Sequence, residues 1–124
     1  MGYLIIFVGA GIGGAIRHGV NVAAARLLGL GFPFGTLIVN VVGSLAIGIL
    51  TGYFTSRTGI SEQIRMFLAT GVLGGFTTFS AFSLDVVLLW ERGQAGLAIG
   101  YVLASVLLSV IGVIAGMSAA RIFT

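Results

Sequence analysis

Hydroxyl and aromatic side chains are concentrated in the stretch GVLGGFTTFSAFS, residues 71–83, whose flanking sequence is apolar. Phe79 and Phe82 are three positions apart, as are Ser80 and Ser83, so a helix would place each pair on one face. Aromatic ring edges are electropositive, and hydroxyl groups donate hydrogen bonds. The stretch is therefore predicted to offer an anion-binding surface that needs no full positive charge.

A second row of hydroxyls lies nearer the carboxyl terminus. Tyr101, Ser105 and Ser109 recur at every fourth position, which places all three on one face of a helix. At 1.5 Å per residue, the row would extend about 12 Å along the helix axis. We interpret it as a polar track through an apolar segment.

Other polar side chains lie within apolar runs. The Asn40 amide would either present donors to a ligand or hold two helices together, and the sequence leaves both roles open. Arg17 would line a wet vestibule that attracts anions or extend to the membrane surface, since a guanidinium facing lipid is costly. Asp85 by default suggests proton coupling, but its place near one end of its run favours a solvated or arginine-paired role. His18 has no acidic or cysteine neighbour in sequence, which argues against a metal site.

The composition indicates an integral membrane protein. Of the 124 residues, 58% are hydrophobic and 7% are charged, whereas soluble proteins carry about 25% charged residues. The chain has no cysteine, which excludes disulfides and thiolate metal sites. Its arginines are spread along the sequence rather than clustered, which argues against nucleic-acid binding.

Four apolar runs are long enough to cross a membrane as helices, since a crossing takes about 20 residues. They are residues 2–27, 34–55, 62–90 and 94–122. Together they predict a single all-α transmembrane domain, residues 1–124. The third run is too long for one plain crossing, and its glycines and threonines predict a broken helix near the bilayer centre. The residues that mark this break are Gly71, Gly74, Gly75, Thr77 and Thr78.

Glycine pairs at four-residue spacing predict close packing between helices in lipid. These pairs are Gly9/Gly13, Gly48/Gly52, Gly96/Gly100 and Gly112/Gly116.

The arginines give almost no preference for one orientation in the membrane. Arg57, Arg65 and Arg121 fall on one side of the four-span topology, and Arg26 and Arg92 fall on the other, together with Arg17 if its side chain extends to the membrane surface. Orientation follows the difference in arginine and lysine content between the two sides. Near-equal counts therefore predict that the chain inserts both ways, which makes an antiparallel homodimer plausible.

Three motifs of the sequence together resemble those of a known protein family. GTLIVN (residues 35–40), GGFTTFSAFS (residues 74–83) and the row of Tyr101, Ser105 and Ser109 resemble the small bacterial fluoride channels of the Fluc or CrcB family. The resemblance covers the whole chain in length and span order. It implies a dual-topology homodimer with two pores in the bacterial inner membrane, which exports fluoride passively and so reduces its toxicity in the cytoplasm.

The same resemblance assigns roles to individual residues. It implies a fluoride pore lined by Asn40, Phe79, Ser80, Phe82, Tyr101, Ser105 and Ser109. Arg17 falls where the family carries an arginine near the end of its first span, at a vestibule. Backbone carbonyls of Gly74 and Thr77 from both chains would hold one structural sodium ion at the dimer centre. The family often has glutamate where Asp85 stands.

Other functional classes fit the sequence less well. A small proton-coupled multidrug exporter also has four spans and dual topology, but it is expected to need a carboxylate in span one, and residues 1–61 contain none. A purely structural membrane subunit would not need a hydroxyl row beside a broken helix. An enzyme is disfavoured because no nucleophile has a paired base.

Overall fold

The structure is a bundle of four long apolar helices, and a computed structural model describes residues 2–56 and 59–123. Its elements are α1 (Gly2–Leu28), α2 (Phe34–Ser56), α3 (Glu62–Arg65), a π-helical stretch (Met66–Leu73), α4 (Gly74–Phe76), α5 (Phe79–Glu91) and α6 (Ala95–Ile122). All regular structure in the described residues is helical. The four predicted spans are confirmed, because α1, α2, residues 62–91 and α6 are each long and apolar enough to cross a membrane. Arg57, used in the arginine count, lies outside the described residues.

Glycine, proline and serine residues mark the ends of the helices. Helix α1 ends before Gly29, whose φ of +83° favours glycine, and α2 begins directly after Pro33. The Ser61 hydroxyl accepts a hydrogen bond from Ile64 N at 3.1 Å and so caps α3. The short turn after α5 makes α5 and α6 neighbours.

The third span is broken in its middle. The helix runs from Glu62 to Phe76, and we call residues 62–76 the leading half-helix. Thr77 and Thr78 then adopt extended backbone conformations, with ψ values of 160° and 123°. The side chain of Thr78 accepts a hydrogen bond from Ala81 N at 3.1 Å, which caps α5. We call Thr77 and Thr78 the helix break, and the predicted interruption is confirmed.

The four spans pack as two close pairs. Helix α1 packs on the leading half-helix, and a Cβ at Gly13 would overlap the Val72 carbonyl oxygen. Helix α2 packs on α6, where a Cβ at Gly116 would overlap the Leu45 carbonyl oxygen. Glycine therefore allows backbone-to-backbone contact at both interfaces, as predicted. The pair Gly96/Gly100 differs, because both residues are exposed and a Cβ at either would meet no atom within 4 Å.

The interior is small. Phe82, Leu89, Ala98 and Tyr101 form a buried cluster between α5 and α6. Many large apolar side chains elsewhere are exposed, including Phe7 at 76% and Ile114 at 60%. Such a surface is suited to lipid or to another protein rather than to water. The bundle therefore positions its polar groups with little internal volume in which to bury them.

Candidate functional site

The helix break is held from α2 by a side-chain amide. Asn40 Nδ2 donates to the Thr78 carbonyl oxygen at 2.9 Å, and Thr78 N donates to Asn40 Oδ1 at 2.8 Å. One amide therefore satisfies both backbone groups of a residue that has left the helix. This geometry supports the helix-joining role of Asn40, and the second Nδ2 hydrogen remains for another acceptor.

The same break is held from α1 by a guanidinium. Arg17 Nε donates to the Gly75 carbonyl oxygen at 3.2 Å. Gly75 lies in the last turn of the leading half-helix, where carbonyls no longer find donors within the helix. The Gly75 carbonyl thus receives its hydrogen bond from another span.

Thr77 closes the leading half-helix at its end. Both Thr77 N and Thr77 Oγ1 donate to the Leu73 carbonyl oxygen, each at 3.0 Å. The Thr77 methyl group occupies the space that a Cβ at Gly43 would fill, so glycine on α2 is needed there. The Gly74 carbonyl has lost the donor of a continuous helix, because Thr78 N binds Asn40 instead. The break therefore exposes helix carbonyls, as broken membrane helices do.

A cavity of about 490 Å³ lies beside the break, between α2, the third span and α6. Seven residues assigned to the pore or the sodium site in the sequence line it, and these are Asn40, Gly74, Thr77, Phe79, Phe82, Ser105 and Ser109. Three other predicted site residues, Arg17, Ser80 and Tyr101, do not line this cavity. The cavity contains hydroxyls, an amide and two aromatic rings but no charged side chain.

The two phenylalanines of the motif differ in exposure. Their ring centroids are 5.5 Å apart, but Phe82 is 9% exposed and Phe79 is 78% exposed. Phe82 also lies 5.2 Å from the Tyr101 ring. Ser80 is exposed, with its hydroxyl 3.3 Å from Thr78 Oγ1. The predicted alternation of rings and hydroxyls thus has one ring inside the bundle and one on its surface.

The predicted hydroxyl row lies along one side of α6 and points inward. Tyr101 is fully buried and donates to Asp85 Oδ2 at 3.1 Å. Ser105 is 6% exposed, and its hydroxyl finds no partner among the described residues. Ser109 is half-buried at the cavity wall. The row thus begins at a carboxylate and continues past an unsatisfied hydroxyl into the cavity.

A second polar row on α2 was missed from the sequence. Thr36, Asn40 and Ser44 share the four-residue spacing of the α6 row, and the last two line the same cavity. Thr36 instead lines a second cavity of about 510 Å³ at the end of the bundle, together with Asp85 and Arg92. The spacing rule that identified the row on α6 would also have identified this one.

Comparison with known proteins decides the family. A family model described as "CrcB-like protein, Camphor Resistance (CrcB)" matches residues 4–117. The chain belongs to the CrcB family. The match extends over nearly all of the described bundle, from α1 to the last turns of α6.

Curated relatives of this CrcB chain are named as ion channels. It is 51% identical over all 124 residues to the "Fluoride-specific ion channel FluC" of Rhodopseudomonas palustris strain BisB5, and both chains are covered completely. It is 58% identical over 120 residues to the protein of the same name from Methylobacterium nodulans, covering 97% of this chain and 96% of the relative. The "Fluoride-specific ion channel FluC 2" of Nitrobacter hamburgensis is 51% identical over the full length of both chains.

Proposed function

We propose that this protein is a fluoride-specific channel through which fluoride leaves the cytoplasm passively. Full-length relatives of the CrcB family carry that activity in their names. The observation that carries the proposal on this chain is the Ser105 hydroxyl, which is buried, lacks a partner among the described residues and lines the uncharged polar cavity. A buried hydroxyl without a partner costs about 1–3 kcal/mol, and an anion that accepts its hydrogen bond removes that cost.

The residues that line the cavity would explain how the channel selects fluoride without binding it tightly. Fluoride is small and strongly hydrated, so it enters only where several short donors replace its water at once. Ser105, Ser109 and the free Asn40 hydrogen would supply donors, and the edges of Phe79 and Phe82 would add positive electrostatic potential. Tyr101 and Ser80 complete the proposed pathway on either side of the cavity. No full positive charge faces the anion along this lining, which lets it leave again.

The assembly we propose is an antiparallel homodimer in the bacterial inner membrane. The open cavity and Phe79, exposed at 78%, support this assembly, because a second chain would complete the lining. Arg26 and Arg92 lie towards one end of the bundle and Arg65 and Arg121 towards the other, so the charges give no orientation bias. Insertion in both directions would follow.

A structural sodium ion is proposed at the dimer centre. The Gly74 carbonyl has lost its helical donor, and Thr77 is the first residue of the helix break, so both can offer carbonyl oxygens. Carbonyls from two chains would form an uncharged oxygen site suited to a hard cation. The ion would hold the two helix breaks together. Exhaustive removal of sodium is expected to weaken the dimer.

Ion flux from liposomes that contain only this protein tests the proposal. Liposomes loaded with fluoride are expected to release it rapidly once potassium permeability is supplied by an ionophore, and liposomes loaded with chloride are expected to release it only at the background rate. Equal release of the two anions, or fluoride release that requires a proton gradient, would overturn the proposal.

A further inference from the structure

We infer that Arg17 is a positioning residue that holds the helix break by its Nε hydrogen bond, rather than an anion-attracting charge at the pore. The inference rests on the proposed function for its flux readout. It concerns a residue for which the sequence alone suggested a vestibule role.

The position of Arg17 on α1 leads directly to this role. Gly9, Gly13 and Arg17 recur at every fourth position, so they share one face of α1. The two glycines contact the backbone of the leading half-helix, Gly9 near Phe67 and Gly13 near Val72 and Phe76. The next position along this face therefore comes level with the point where that half-helix ends.

The side chain reaches the backbone there. Long side chains of a helix lean towards its amino terminus, which brings Arg17 Nε back to the Gly75 carbonyl oxygen, at 3.2 Å. A Cβ at Gly75 would overlap the Ala10 carbonyl oxygen, so the two backbones touch one another beside this hydrogen bond. The cation also lies at the carboxyl end of a helix, where the helix dipole favours positive charge.

Arg17 stands apart from the polar cavities. It lines neither the cavity beside the helix break nor the cavity at the end of the bundle. Its partner among the described residues is the Gly75 carbonyl oxygen. Arg17 therefore acts on the break from the α1 side, while Asn40 acts on it from the α2 side.

Two substitutions separate the hydrogen bond from the charge. Arg17→Gln keeps an N–H donor bonded directly to Cδ, as Nε is, and removes the charge. Arg17→Lys keeps the charge but places a methylene group at that position. Arg17→Met removes both properties. Arg26→Lys, at an exposed arginine of the same helix, serves as the matched control because it leaves the balance of basic residues unchanged.

The inference predicts that Arg17→Gln retains at least half of the fluoride flux in liposomes. Arg17→Lys and Arg17→Met are expected to lose roughly fivefold in maximal rate, the cost of one lost hydrogen bond. The fluoride concentration that gives half-maximal flux stays constant across the series. The same order, with Arg17→Gln above Arg17→Lys, is expected in the melting temperature of the purified protein.

Other outcomes overturn the inference. If Arg17→Lys conducts as well as or better than Arg17→Gln, or if Arg17→Gln raises the half-maximal fluoride concentration, then Arg17 acts through its charge. If Arg17→Met does not assemble, the fluoride flux of Arg17→Gln compared with that of Arg17→Lys still decides between the hydrogen bond and the charge. A wild-type protein without fluoride flux would refute the proposed function, and the melting temperatures would then still test the hydrogen bond.

Discussion

Replacing Asn40 by leucine is expected to release the helix break while leaving the four spans inserted. The substitution fills a similar volume but removes the two hydrogen bonds to Thr78, at 2.8 and 2.9 Å. Each bond contributes about 1 kcal/mol, so the loss is about 2 kcal/mol. Since every 1.4 kcal/mol is a factor of ten, the conducting arrangement of the break becomes roughly 30-fold less populated.

The expected result is a loss of fluoride flux of about that size, measured as initial efflux from liposomes at equal protein content. Asn40→Asp keeps the acceptor for Thr78 N but places an oxygen against the Thr78 carbonyl, so it should also conduct poorly. Ser44→Ala is the matched control, because it lies one turn further along α2 and lines the same cavity but forms no hydrogen bond to the break among the described residues. Flux within about twofold of wild type for Asn40→Leu would refute the reasoning, because the amide would then not hold the break.

Three further predictions concern the two phenylalanine rings, the Tyr101 hydroxyl and the close packing of α1. Phe82→Ile and Phe79→Ile should each reduce fluoride flux without changing the elution of the proposed dimer on gel filtration, because the aliphatic side chain has no electropositive edge. Normal conduction in both would show that the rings only fill space. Tyr101→Phe removes the donor to Asp85 at 3.1 Å and should lower the free energy of unfolding by about 1 kcal/mol. The fluoride flux should fall as well. If neither quantity changes, the contact is incidental. Gly13→Ala should lower the melting temperature markedly, because the new methyl group would overlap the Val72 carbonyl. Gly11→Ala is the control, because a Cβ there would meet no atom within 4 Å and should leave the melting temperature unchanged. Equal melting temperatures for the two variants would contradict the close packing of α1.

The spans and the helix break could be predicted because the signals for them are local. Hydropathy gives the four helices, and Gly74–Gly75 followed by Thr77–Thr78 gives the interruption, which the structure has at the threonines. The row of Tyr101, Ser105 and Ser109 followed from helical spacing alone.

The partners of these residues could not be predicted, because they depend on which helices touch. Nothing in the local sequence of Asn40 indicates that its amide binds the backbone of Thr78, thirty-eight positions away. Nothing near Arg17 indicates that its guanidinium reaches Gly75. Likewise, Gly96 and Gly100 have the spacing of a packing motif but lie on the open side of α6. Spacing identifies the face of a helix, and tertiary structure decides what that face meets.

The helix break also constrains how the third span enters the membrane. A segment needs about 20 residues to cross a bilayer, and α5 has 13, so neither half of the third span can insert by itself. We therefore expect residues 62–91 to enter the membrane together, as a continuous helix in which Thr78 N would bond to the Gly74 carbonyl. Only when α1 and α2 associate with this segment can Arg17 and Asn40 take over those backbone groups. Because α1 and α2 precede the third span in the sequence, both are already made when it enters the membrane, and a chain that lacked them is expected to contain a straight third span.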